Sequence, residues 1–82
     1  MQIKKNIAIS DSGYIFNPGT GESFVLNPIG KDILELLKEL KSYEEISASI
    51  GNQYNVAPPT FEKDYYDFLN TLRKNHLVED ND

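Results

Sequence analysis

The sequence predicts an α+β fold: a three-stranded antiparallel sheet followed by three helices. Three observations predict it. Apolar residues alternate one by one in the first third of the chain, then recur at helical spacing, and the change falls at Leu26-Asn27-Pro28. Asn is a good N-cap because its side-chain oxygen accepts from an unpaired amide, and Pro suits the first helical position, where no donor is needed. Strands followed by helices indicate helices covering one face of the sheet. The same order is winged helix-turn-helix-like.

In residues 3–9, Ile3, Ile7 and Ile9 share one face while Lys4 and Asn6 take the other, the period of a half-buried strand. Asp11-Ser12-Gly13 is turn chemistry before a second strand at Tyr14-Ile15-Phe16. Asn17-Pro18-Gly19-Thr20-Gly21 supplies one fixed negative φ and two residues free to take positive φ, the makings of a hairpin connection to a third strand over 22–26. From Pro28, Ile29, Ile33, Leu36/Leu37 and Leu40 mark the inward side of the first helix. Ser42-Tyr43-Glu44-Glu45 is a capping box opening a second helix with Tyr43, Ile46, Ile50 and Tyr54 inward, expected to end near Gly51 or Asn52. Val56-Ala57-Pro58-Pro59 is expected to be extended. A third helix then runs from about Thr60 to Asn75, with Phe61, Tyr65, Phe68 and Leu72 on its core line. Leu77 and Val78 are expected to fold back and close the core.

Eighty-two residues, 39% of them apolar, suffice for one modest core, so residues 1–82 read as a single domain with 79–82 as a solvated tail. Cysteine is absent, which removes disulfides and thiolate metal sites and fits a reducing compartment. No stretch has the apolar length of a secretory signal (about 7–15 residues) or a bilayer span (roughly 18), so a cytoplasmic protein with no membrane partner is expected. Thirteen acids against eight bases give a net charge of −5, which disfavours phosphate backbones.

Catalytic chemistry finds little footing. His76, the one histidine, follows Asn75 at the end of the third helix, where an imidazole can bond the last carbonyls. The serines have no evident base partner, and Glu44-Glu45 and Asp64/Asp67 read as solvated helix surface. No catalytic residue, metal site or cofactor is expected. As a recognition helix, the third one would carry Glu62, Asp64 and Asp67 against Lys63, Arg73 and Lys74, without the basic excess of a helix flanked by phosphates.

A surface for another polypeptide remains. The third strand of a meander lies at an edge, and Ser23, Phe24 and Val25 include neither proline nor lysine, the usual devices that blunt one. Such an edge can accept an extended peptide as an added strand. It can equally be short, covered by the chain itself, or paired with a second copy. On the third helix, Glu62, Tyr66, Leu69 and Arg73 form a stripe about 100° from the core line. Tyr66 and Leu69 either widen the core or wall a peptide groove, with Arg73 placed to meet a carboxylate.

The run Gly21-Glu22-Ser23-Phe24-Val25-Leu26-Asn27-Pro28-Ile29-Gly30, then Ile33-Leu34-Glu35-Leu36-Leu37, Tyr43-Glu44-Glu45-Ile46, and Asp64-Tyr65-Tyr66-Asp67-Phe68-Leu69 with Leu72, resembles the PqqD family from about Tyr14 to Val78. His76-Leu77 departs from the Gly-Leu frequent there. The resemblance implies a winged helix-turn-helix-like recognition element for ribosomally made, post-translationally modified peptides. Such a domain is a non-catalytic peptide chaperone. It binds the leader of a precursor peptide beside the third strand and presents it to a modifying enzyme, often a radical S-adenosylmethionine protein. Carried onto this chain, the peptide contacts are Ser23, Phe24, Val25, Tyr66, Leu69 and Arg73. The alternative function is a winged-helix transcription regulator, and the alternative use of the edge is a homodimer.

Overall fold

The computed structural model describes residues 2–79. Its elements are β1 (Gln2–Ile3), β2 (Ala8–Ile9), β3 (Tyr14–Asn17), β4 (Glu22–Val25), α1 (Pro28–Lys38), α2 (Tyr43–Tyr54), α3 (Pro58–Lys74) and β5 (Val78–Glu79). The expected α+β order holds. A three-stranded antiparallel sheet has the order β2-β3-β4, and β1 pairs separately with β5.

The first expected strand is two. A turn at Lys5-Asn6, closed by Ile7 N–H donating to Lys4 O (3.2 Å), divides it into β1 and β2. Ile3 and Ile7 are still buried, because alternation survives the break while ladder partners change. Val78 and Glu79 form β5 against Ile3 and Gln2, so Glu79 belongs to a strand and not to the expected tail. Residues 80–82 lie outside the described residues.

The β2–β3 and β3–β4 turns give the sheet its shape. Gly13 takes φ +88°, and a Cβ there would stand 2.7 Å from Leu26 O, the neighbour of the carbonyl-to-amide bond Leu26 N–H→Gly13 O at 2.9 Å. Gly13→Ala is expected to destabilise the domain by at least about 1–2 kcal/mol, the usual cost of a left-handed residue with a Cβ, read as a lower melting temperature. At the other turn the buried Asn17 accepts from Gly19 N–H (2.9 Å) and its Nδ2 donates to His76 O (3.4 Å), fastening the hairpin to the end of α3.

The first two helices start as their sequences signal. Asn27 Oδ1 accepts from Gly30 N–H at 2.8 Å with Pro28 beside it. Ser42 and Glu45 form the reciprocal box, each bond 3.1 Å. The backbone N–H of Ser42, bonded to the Glu45 carboxylate, holds that carboxyl below its ordinary value of 4.5. A lowered carboxyl stabilises the folded state above the unfolded-state pKa, and this contribution is lost as pH falls through the lowered value. Acid titration of the melting temperature should therefore show a step that Glu45→Gln flattens.

Helix ends differ from expectation. α1 stops at Lys38 because Leu40 takes φ 63°, which leaves it 68% exposed instead of inward, while Leu34 is fully buried. α2 passes through Gly51 and ends at Asn55 (φ 55°). Pro58 and Pro59 begin α3 instead of preceding it. Their fixed φ suits a first turn that needs no donors, and Ala57 before them is extended. At the end of α3, Thr71 O accepts from Asn75 Nδ2 (2.9 Å), and Leu77 N–H reaches Leu72 O (3.0 Å). His76 contributes a left-handed φ of 59° there, not its imidazole. Among the described residues no helix is long and apolar enough to cross a membrane.

The core gathers Ile3, Ile7, Ile15, Ile33, Leu34, Ile46, Ile50, Phe61, Tyr65, Leu69, Leu72 and Leu77 between the inner sheet face and the helices.

Candidate functional site

The sheet has two margins, and they are treated differently. Beyond β2, which has two residues, the Ile7 carbonyl is taken by Lys38 Nζ at 2.8 Å. A short strand and a lysine are both devices that discourage edge pairing. β4 has four residues and, among the described residues, pairs with β3 alone.

The phase of the ladder identifies which groups on β4 face outward. Tyr14 O accepts from Ser10 N–H (2.8 Å), so Tyr14 turns toward β2, and Leu26 N–H donates to Gly13 O, so Gly13 turns toward β4. Antiparallel residues alternate between facing one neighbour and the other. Phe24, opposite Ile15, therefore turns its amide and carbonyl to β3. Ser23 and Val25 turn theirs to the open side, and the Val25 side chain is 72% exposed.

At the end of β4 the chain enters α1 beside a cleft of about 210 Å³ lined by Asn27, Ile29, Gly30, Ile33, Asp64 and Phe68. Gly30 leaves room for the Phe68 ring: a Cβ there would lie 3.4 Å from its edge and 3.5 Å from the Leu26 Cβ. Phe24, Leu26, Ile29 and Phe68 are all partly buried against the core. An open row of backbone donors and acceptors thus ends at a small apolar recess with one carboxylate, Asp64, at its rim.

The stripe expected on α3 is not assembled here. Leu69 is 6% exposed and belongs to the core, while Phe68, expected inward, is only partly buried, packed against that core at the cleft. The buried line runs through Phe61, Tyr65, Leu69 and Leu72, whose centre lies between the two candidate lines. Tyr66, two residues before Phe68 and so about 200° around the helix, falls on the opposite flank. There it stacks on Tyr43 of α2, centroids 6.1 Å apart and planes at 17°. Arg73 is exposed, with Nη1 3.4 Å from Asn70 Oδ1, on the same side as Tyr66 by helical spacing. Phe68 was legible as apolar; what its spacing could not show was that Gly30 leaves an opening in front of it.

Tyr43, Phe61, Tyr65 and Tyr66 form an aromatic cluster on this second flank. Burial, followed by the nearby Glu62 carboxylate, pushes the Tyr43 phenol up, and burial does the same to Tyr65. Two larger clefts, about 310 and 470 Å³, lie at Tyr54–Asp32 and beside the α2–α3 connection. In the first, Tyr54 donates its hydroxyl to Asp32, which holds the phenol protonated and its pKa up. Among the described residues no group of three or more His, Cys, Asp or Glu is placed to hold a metal ion.

A model of the family described as coenzyme PQQ synthesis protein D (PqqD) matches residues 13–78. Among solved structures, the chain resembles that of TbiB1 in complex with the TbiA(beta) leader peptide. The two share 35% sequence identity with a TM-score of 0.86, over 100% of this chain and 99% of that one. No curated protein is significantly similar to it.

Proposed function

The chain belongs to the PqqD family, and we propose that it is a peptide chaperone that takes the leader of a ribosomally made precursor peptide onto β4 as an added strand. The observation that carries this reading is the four-residue margin of β4, whose outward groups at Ser23 and Val25 meet no strand among the described residues. Backbone bonds there would give affinity, and the recess at Phe68 and Ile29 would select a side chain. The edge residues Ser23, Phe24 and Val25 are proposed as contacts. On α3, Phe68 and Asp64 take the place first given to Tyr66, Leu69 and Arg73, since they lie on the flank nearest the end of β4. Leader recognition of this kind is what the likeness to the TbiB1 complex supports.

The domain itself is proposed to do no chemistry. It would raise the local concentration of substrate at a separate modifying enzyme, in the cytoplasm. The winged-helix regulator draws no support: α3 balances Glu62, Asp64 and Asp67 with Lys63, Arg73 and Lys74.

The test is a titration with the leader of the precursor encoded beside the gene, in parallel with a DNA gel shift. Amide shifts confined to residues 22–30 and 64–68 are expected. A salt-steep DNA affinity without peptide binding would replace this reading with the regulator.

A further inference from the structure

We infer that the recess at the end of β4 selects a basic side chain, lysine or arginine, from the bound peptide, and that the Asp64 carboxylate is the group that selects it. This rests on the peptide-binding reading above and specifies which side chain is chosen.

The pleat fixes which peptide residue arrives there. Phe24 and Leu26 are partly buried against the core, whereas Val25 between them is exposed, so Phe24 and Leu26 share the inner face. A strand added beside β4 alternates in the same way, and its residue level with Leu26 therefore points inward. Leu26 packs beside Gly30, which lines the recess: a Cβ there would lie 3.5 Å from the Leu26 Cβ. At about 210 Å³ the recess is smaller than the roughly 300–1,000 Å³ of a small-molecule pocket, a size suited to one long side chain.

The lining decides the chemistry. Ile29, Ile33 and Phe68 offer apolar walls, and Asp64 is the one charged residue that lines the recess. Asp64 is exposed, and its carboxylate makes no ion pair with any described residue; the pair formed among them is Lys31–Glu35. A wholly apolar occupant would strip water from this carboxylate and offer nothing in exchange, which is costly. A basic side chain satisfies both parts. Its methylene stem is an apolar anchor against Ile33 and Phe68, and its charged head reaches the carboxylate at the rim. An acidic side chain is repelled. The net charge of −5 draws a basic segment in before contact is made. Asp67 supplies an internal comparison, since it is exposed on the same helix but does not line the recess.

The test titrates the full chain, Asp64→Asn and Asp67→Asn with the leader of the precursor encoded beside the gene. The same leader is also used with norleucine, which keeps a stem and drops the charge, in place of each basic residue in turn. Asp64→Asn, whose melt should match wild type, should bind the natural leader at least about fivefold more weakly, as loss of a close charge pair implies. Asp67→Asn removes an equal charge and should stay within about twofold of wild type. One norleucine peptide should lose a similar factor on wild type and almost nothing further on Asp64→Asn, the signature of a coupled pair. Equal losses in Asp64→Asn and Asp67→Asn reduce the effect to overall charge and overturn the inference. So does a leader that binds without any lysine or arginine, or a set of norleucine losses that all persist in Asp64→Asn. If the wild type binds leader and Asp64→Asn binds it equally well, the selection fails and the peptide reading stands. A wild type that binds no leader overturns the peptide reading and this inference with it.

Discussion

Val25→Pro should weaken leader binding at least about tenfold and leave the domain folded, whereas Phe24→Pro should unfold it. The two residues are neighbours on one strand, but their amides point to opposite sides. Their side chains take opposite faces, Val25 exposed and Phe24 partly buried against the core. Val25 N–H faces the open margin, so proline there removes no bond of the domain; an edge is where a strand tolerates it. An incoming strand, however, loses a donor and meets the ring. One missing bond is worth about 0.5–1.5 kcal/mol, and a peptide carbonyl left buried without a partner adds about 1–3. Together these raise Kd by roughly ten- to a thousandfold at 1.4 kcal/mol per decade. Phe24 is opposite Ile15 in the ladder, so proline there breaks the sheet from inside. Losing that pairing lowers the melting temperature by about 4–8 °C for each kcal/mol. Calorimetric titration and thermal melts on both variants read the outcome. Undiminished leader binding by a folded Val25→Pro would remove β4 as the site.

The second large effect separates Leu69 from Phe68. Leu69, at 6% exposure, lies within the core, and Leu69→Ala should cost about 2–5 kcal/mol of stability. A domain of this size has only about 4–12 kcal/mol in all, so Leu69→Asp should not fold. Phe68→Ala instead removes a partly buried ring at the rim of the core. Its melt should shift less than that of Leu69→Ala, while leader affinity falls by at least about tenfold if an apolar anchor occupies the cleft. Tyr66→Ala should leave leader affinity unchanged, because its ring is engaged with Tyr43 on the far flank of α3. Should Tyr66→Ala weaken the leader while Phe68→Ala does not, the groove belongs to the other side of the helix.

Much of the architecture was readable without coordinates, because local rules govern it. The helix starts at Asn27-Pro28 and Ser42-Glu45 are bonds within four residues of chain, and the hairpin at Asn17–Gly21 needs only its own turn chemistry. The strand at Ser23-Phe24-Val25 falls at a margin because consecutive hairpins pair the last strand on one side only. Errors arose where a distant partner decided the matter. β1 left its expected strand because β5, from the opposite end of the chain, supplied a ladder.

The order of elements, the marginal place of β4 and the apolar side chains were legible in the residues alone. That no described strand covers this margin, and which flank of α3 meets it, took the packed structure to decide. Helical periodicity specifies an apolar arc but not its centre to within one residue, and a shift of one residue turns the helix by about 100°. Burial in the common core settled the angle: Leu69 went inside, and Phe68 was left partly exposed over Gly30 at the cleft.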